Sequence, residues 1–310
     1  MTFSSVSILI CTKDRAEHLK GTLASLARVT IPSGLDVELI VVDNNSEDET
    51  AAVARQHEGP FHSSRVVHEE RVGVSVARNR AIEEAEGDLL LFTDDDVRVP
   101  ENWISGMTRP IREGDADAVA GGVQIPSHLE RPWMKPWHRS YLASSRALER
   151  MSKPLTDMVG ANMCLGRHVF SEIPGFDVKL GTGGHYGYCE ESLLAYQLHE
   201  ADYHIGSAFD VVVEHHFDPS RLSRAFFLSV ARRLGRSMAY IHHSYRPERS
   251  SFPEGGLRPY LELMELRAKL FVKRVLRRPS RRTDGPPVPA WENYYVHRIA
   301  YLKQGLRERA

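Results

Sequence analysis

Cysteine is scarce in this chain of 310 residues: Cys11, Cys164 and Cys189 stand far apart, and no two share a CxxC spacing. That argues against a disulfide framework or a structural zinc and suits a reducing cytosol. Long apolar runs are missing too, so no segment reads as a membrane span. The first residues, MTFSSVSILICTKDR, place no basic segment ahead of their short apolar stretch, which argues against a signal peptide. A soluble, cytoplasmic protein is the expectation. Charge of one sign is also lacking. The 40 Lys and Arg against 41 Asp and Glu leave a net −1, with no global bias toward nucleic acid or an anionic membrane.

What is present is an alternation. The apolar (42%) and charged (26%) fractions are those of a globular protein, long enough for one large domain or two ordinary ones. VSILIC (6–11), VELIVVD (37–43), SRVVHE and DLLLFTDDD read as strands, with ADAVAGGVQ (116–124) as one more. Between them lie helical patterns. Asp14 with Glu17, and Ser46 with Glu49, have the spacing of capping boxes. Strand and helix alternating on short links predict an α/β fold with a mostly parallel sheet flanked by helices. In such sheets ligands sit beyond the carboxyl ends of the strands. Three polar clusters follow strands here: Thr12-Lys13-Asp14, Asp43-Asn44-Asn45 and Asp94-Asp95-Asp96. All three are expected to face one crevice.

The aspartates pose the sharpest question. Leu89–Phe92 reads as a strand buried on both faces, and it runs into three like charges. Adjacent carboxylates repel, so a divalent metal, a cluster of Arg and Lys, or water must stabilise them. Carboxylates with a few waters suit Mg²⁺ or Mn²⁺, which complete their shell with substrate phosphate oxygens. The bland alternative is an acidic strand exit in water. Asp43 reads either as a neighbour of a helix N-terminus or as an acceptor for a nucleobase or ribose.

Six segments in order, VSILICTKDR, ELIVVDNNSEDET, RVGVSVARNRAIEEAEGDLLLFTDDDV, VGANMCLGR, IPGFD and GYCEESLLAYQL, resemble the successive signatures of the family 2 glycosyltransferases. The resemblance implies the GT-A fold and an inverting transfer from a nucleotide-sugar donor. It implies a nucleotide-binding half (1–124) and an acceptor-binding and catalytic half of the same domain (125–220), after which helical periodicity alone predicts a helical C-terminal region (221–310). Carried over by position, Thr12, Lys13 and Asp14 line the nucleoside pocket, and Asp43 meets uracil or ribose, which favours a UDP-sugar. Asn45, Arg78, Asp94 and Asp95 complete the donor-binding set. Asp96 is the metal ligand, with His216 rather than His215 as its partner. Glu190-Glu191 stand where the family has Glu-Asp, so Glu191 is the expected base and Glu190 the alternative. The chemistry asks for the same parts: a leaving diphosphate must be neutralised, and an acceptor hydroxyl must lose its proton to a carboxylate.

Two other readings compete. A sugar-phosphate nucleotidyltransferase would carry a glycine-rich N-terminal loop, which ILICTKDRAEHL lacks. A non-catalytic nucleotide-sugar-binding module would keep the sheet and lose the base. The acceptor, a glycan or a lipid-linked carrier, is expected against Trp133, Trp137, Tyr141, Tyr186 and Tyr188. Arg232, Arg233 and Arg236 are further candidates to approach the diphosphate. Between Arg267 and Arg282 there are eight Lys or Arg and no acid. That tract reads either as a packed helix with a solvated basic face or as a peripheral contact with the inner face of a membrane.

Overall fold

The computed structural model describes residues 3–145, 157–254, 256–276 and 285–309. The end of the tract at 277–282, part of the proline-rich stretch after it, and the stretch 146–156 lie outside the described residues. Eight strands form one sheet: β1 (Ser5–Thr12), β2 (Asp36–Asp43), β3 (Ser63–His68), β4 (Leu89–Asp94), β5 (Val97–Arg98), β6 (Ala118–Gln124), β7 (Asn162–Gly166) and β8 (Ile205–His215). Their order is β3-β2-β1-β4-β7-β6-β8-β5. The four strands from β3 to β4 are parallel, β7 runs antiparallel to both its neighbours, and β8 lies parallel to β6.

Alternation along the strands feeds two cores. Ile8, Ile10, Leu39 and Leu91 face the layer of α1 (Ala16–Leu26) and α4 (Trp103–Arg112). Leu9, Ile40, Leu90 and Phe92 face α3 (Val74–Glu84) and α6 (Glu190–Glu200). Each such side chain, fully buried, contributes about 2 kcal/mol of apolar transfer free energy. Sequence after residue 220 is helical, as its periodicity predicts: α7 (Arg224–Ser244), α8 (Arg258–Leu276) and α9 (Ala290–Glu308). The shorter α2 (Thr50–Arg55) and α5 (Pro136–Tyr141) complete the set among the described residues. α7 and α9 approach closely at Gly235, where a Cβ would lie 2.3 Å from the His297 carbonyl oxygen.

Neither expected capping box forms. Asp14 takes a left-handed backbone (φ 52) and its carboxylate accepts the Glu47 N–H at 2.7 Å. The Asp14 N–H donates to the Ser46 hydroxyl at 3.0 Å. Asp48 accepts the first amide of α1, from Ala16, at 3.2 Å. The capping chemistry is used between loops, so that the exits of β1 and β2 are stitched together where they meet.

Asn162 closes the seam between the two parts of the sheet. Fully buried, it donates to the Gly122 and Val211 carbonyls and accepts the Trp103 indole N–H, each at 2.9 Å. The seam is irregular there: Gly121 pairs with Ala208 while Gly122 pairs with Val212. A Cβ on Gly121 would fall 2.2 Å from the Asn162 amide nitrogen. Asn162→Ala leaves one donor and two acceptors buried without partners, at about 1–3 kcal/mol each where water cannot enter. A destabilisation of about 3 kcal/mol is expected in urea unfolding, and a loss below about 1 kcal/mol would refute this role for the amide.

Candidate functional site

A cavity of about 530 Å³ opens beyond the carboxyl ends of β1, β2 and β4. The strand exits deliver Thr12, Lys13, Asn44 and Asp94 to Asp96 to its wall, the start of α6 delivers Glu190 and Glu191, and the end of β8 delivers His215. Asn44 shapes the rim. Its amide accepts the Gly73 N–H at 2.8 Å and donates to the Glu69 and Arg71 carbonyls. The entry to α3 is in turn fastened to the segment LGTGGHYGY (180–188), a glycine-rich loop ahead of α6, through Val74 N–H to Thr182 O and the Ser75 hydroxyl to Leu180 O.

The three aspartates meet cations from four directions. Arg15 donates from Nε to Asp95 at 2.6 Å and from Nη2 to Asp96 at 2.5 Å. The Thr12 hydroxyl donates to Asp95 at 2.7 Å. Arg78 reaches Asp94 at 3.4 Å, and Arg221 lies 3.6 Å from Asp96. His215 completes the set, with Nε2 3.1 Å from Asp96 Oδ1. Burial works to raise the Asp96 pKa, but His215, Arg221 and Arg15 override it and hold the carboxyl far below the usual range. At Asp95 burial prevails over Arg15, and the carboxyl is pushed up.

Across Arg78 from Asp94 stand the two glutamates. Arg78 is buried, and its Nη1 donates to Glu190 at 3.2 Å and to Glu191 at 3.0 Å. Burial, helped by the neighbouring Glu191, pushes the Glu190 carboxyl up to about 8 despite Arg78. Asp157 also faces the cavity. It accepts the Met158 N–H and the Ser192 hydroxyl, and burial raises its carboxyl to about 6.

Several expected residues stand elsewhere. His216 pairs with Glu214 at 3.1 Å and lies against His128 with the rings tilted, whereas the imidazole beside Asp96 belongs to His215. Strand alternation held that signal, since Val211, Val213 and His215 are buried on one face of β8 and His216 falls out of step. Asp43 lies behind the wall, accepting the Ser46 N–H at 3.2 Å and meeting His68 at 3.4 Å. Asp14 and Asn45 serve the same junction, with the Asn45 carbonyl accepting the Lys13 ammonium. Trp133 and Trp137 pack edge-on against Phe227 and do not line the cavity. Tyr186 stacks on Tyr240 and donates to Glu308, while Tyr141 and Tyr188 do reach the wall. Arg233 lines the cavity, Arg236 donates to the His185 carbonyl, and Arg232 is exposed. Asn79 holds the Phe176 backbone through both amide atoms. Arg15, Arg221 and Asp157 are members that sequence reasoning did not name. Only the position of Arg15 directly after a strand-exit cluster could have drawn attention to it.

Among the described residues no group of three or more His, Cys, Asp or Glu forms a metal cage. The donor chemistry still fits a divalent ion shared with a phosphate ligand. A carbonyl can only accept, so the contact of His215 Nδ1 with Leu142 O at 2.8 Å places the ring proton on Nδ1. Against burial, Asp96 raises the His215 pKa, so in the charged ring Nε2 donates to Asp96, and in the neutral ring its lone pair is free for a cation that the Asp96 carboxylate shares. An imidazole steadied by a backbone carbonyl beside a carboxylate is the usual arrangement of metal-binding histidine.

The family model described as Glycosyl transferase family 2 matches residues 7–173, more than half of the chain. The succinoglycan biosynthesis protein ExoM of Rhizobium meliloti is 34% identical over 133 residues, 42% of each chain. The glucosyl-dolichyl phosphate glucuronosyltransferase of Haloferax volcanii is 28% identical over 187 residues, 58% of each. The chain thus spans only about two-fifths to three-fifths of the length of these curated relatives. Among solved structures, the mannosyltransferase PcManGT from Pyrobaculum calidifontis, in complex with GDP-Man and Mn²⁺, superposes with a TM-score of 0.62 at 18% identity. It covers all of this chain and 89% of its own. TarS of S. aureus in complex with UDP-GlcNAc gives 0.53 at 16% identity, covering 98% and 91%. The fold is that of the GT-A glycosyltransferases, and the chain belongs to glycosyl transferase family 2.

Proposed function

We propose that this chain transfers a sugar, with inversion, from a nucleotide-sugar donor to a hydroxyl of a glycan or lipid-linked acceptor. The observation that carries the reading is the meeting, in one cavity, of a cation-lined aspartate cluster and a paired glutamate held by Arg78. The donor diphosphate faces Arg15 and Arg221, and the sugar lies between them and Glu191. Glu191 takes the proton of the attacking hydroxyl as the bond from its oxygen to the sugar carbon forms and the bond to the diphosphate breaks. Arg78 fixes the Glu191 carboxylate, and the protonated Glu190 beside it adds no competing charge. Asp96 and His215 would hold Mg²⁺ or Mn²⁺, which when bound neutralises the leaving diphosphate. The resemblance at Asp43 favours a UDP-sugar, but Asp43 lies behind the cavity wall, so UDP- and GDP-sugars are tested alike. A cytoplasmic chain working at the inner face of a membrane suits a lipid-linked acceptor, and one relative is named for action on a dolichyl phosphate sugar.

A panel of nucleotide sugars, followed by donor turnover with and without acceptor, tests the activity itself. Glu191→Gln keeps shape and removes charge, so transfer should fall by roughly 10²-fold or more while nucleotide binding persists. Normal transfer in Glu191→Gln with a dead Glu190→Gln would move the base one residue back. Normal transfer in both would end the general-base reading of this pair.

Metal dependence is read by calorimetric titration of UDP and GDP with Mn²⁺ or with EDTA. Binding should weaken by roughly tenfold or more in EDTA. Asp96→Ala and His215→Ala should abolish the difference, and His216→Ala should leave it intact. Equal binding in Mn²⁺ and EDTA would mean that Arg15 and Arg221 hold the diphosphate unaided.

The raised Glu190 pKa has a consequence for stability. A carboxyl that titrates at about 8 folded and near 4.5 unfolded favours the folded state fully below 4.5. That contribution is lost as pH rises through 8. Glu190→Gln cannot ionise, so urea unfolding should show it about as stable as the parent at pH 5 and more stable at pH 8. A gap that stays constant across this range would refute the shift.

A further inference from the structure

Helix α8 (Arg258–Leu276) is apolar on two opposite faces. Pro259, Leu263 and Leu266 are buried, the two leucines clustering with Phe252, Tyr301 and Leu302. On the other side Tyr260, Leu261, Met264, Phe271, Val272 and Val275 are 47–68% exposed. At 3.6 residues per turn these six fall within an arc of about 120°, the width of a buried face in an ordinary amphipathic helix. Eight of the eleven exposed large hydrophobics among the described residues lie between Leu257 and Leu276. An apolar stripe this concentrated marks an interaction surface.

Charge tells what the surface meets. Arg267 runs along one margin of the stripe with Arg274, which is bonded to Glu292 at 2.7 Å, and Arg258, Glu265 and Lys269 run along the other. The helix carries five Lys and Arg against two glutamates. Both glutamates are already paired, Glu262 with Arg298 at 2.7 Å and Glu265 with Lys269. Among the described residues no helix is long and apolar enough to cross a membrane, and these charges would not allow α8 to do so. A two-fold contact between copies of this chain would set the same cationic margins against each other. A plane of anionic lipid headgroups accepts both the stripe and its margins.

We infer that α8 is a membrane-surface helix. It lies in the plane of an anionic bilayer with Tyr260 to Val275 sunk to the headgroup boundary and the flanking cations at the phosphates. The inference deepens the proposed action at a membrane, since it identifies the side chains that make the contact, and it starts the contact at Tyr260, ahead of the tract at 267–282.

Flotation of the whole 310-residue chain with vesicles of phosphatidylglycerol and phosphatidylcholine in equal parts tests it. The chain should float with these vesicles, less in high salt, and bind pure phosphatidylcholine at least about tenfold more weakly. Leu261→Glu with Phe271→Glu should lower binding by about tenfold or more, with circular dichroism and UDP–Mn²⁺ titration unchanged. Arg267→Glu with Lys269→Glu, a change of charge alone, should weaken binding only to the anionic vesicles. No flotation, or equal binding to both lipids, overturns the inference. So does a parent that is dimeric by light scattering and ignores vesicles while the Leu261→Glu, Phe271→Glu variant is monomeric. Vesicle binding without donor turnover would instead count against the proposed activity.

Discussion

One buried guanidinium organises the site. Arg78 comes from α3, in the first half of the sheet, and joins Asp94 at the exit of β4 to Glu190 and Glu191 at the start of α6. Taking an arginine out of water is costly, and three carboxylates together with the Phe176 ring, 5.3 Å from its centre, offset that cost. The arrangement needs empty space beside it. A Cβ on Gly160 would lie 2.2 Å from Arg78 Nη2 and 2.4 Å from Glu191 Oε1, so the glycine of VGANM is fixed by the ion pair it borders. Cys189, at the N-cap of α6, is held in the left-handed region at φ 70. That strain, about 1–2 kcal/mol for a residue with a Cβ, accompanies the turn that aims both glutamates inward.

The same burial separates carboxyl groups that start out chemically alike. Asp96 is held ionised by three cations, while Asp95, Glu190 and Asp157 are pushed toward the protonated form because burial outweighs their partners. A wall rich in acids therefore carries less negative charge than its composition suggests, and Arg15, Arg78 and Arg221 offset part of what remains. Environments that drive neighbouring carboxyls apart are how one site holds a base and a neutral acid together. The question posed by three consecutive aspartates has its structural answer in arginine and histidine, and a divalent ion becomes an addition to that cluster.

How much of this was legible depended on what each residue answers to. Strands such as Val6–Cys11 and Leu89–Phe92 follow from apolar runs, because a doubly covered strand has no other composition available. The convergence of Thr12, Lys13 and Asp94 to Asp96 followed from topology, since parallel strands end on one side. Asp14 and Ser46 misled, because a short polar side chain caps its own helix or a neighbouring loop with equal chemistry. Only the meeting of β1 and β2 exits decides between them. His215 was readable from period-two burial along β8, whereas Trp133 and Trp137 were not placed by anything local. Their packing on Phe227 depends on α7, nearly a hundred residues later.

The family signature stops at residue 173, yet the cavity does not. Glu190, Glu191, His215, Arg221, Phe226 and Arg233 all line it from beyond that point. Phe226 and Arg233 belong to α7, which α9 clamps at Gly235, so the C-terminal helices are part of the site's wall. The wall around Thr12, Lys13 and Asp94 to Asp96 is built from the stretch that the family model covers. The side that α6 and α7 close is built from sequence that the family model leaves open. In the proposed transfer the diphosphate would meet the first of these walls and the acceptor would come against the second. Tyr188, Phe226 and Arg233 of that second wall are legible as neighbours only once the fold has brought the start of α6 and α7 together.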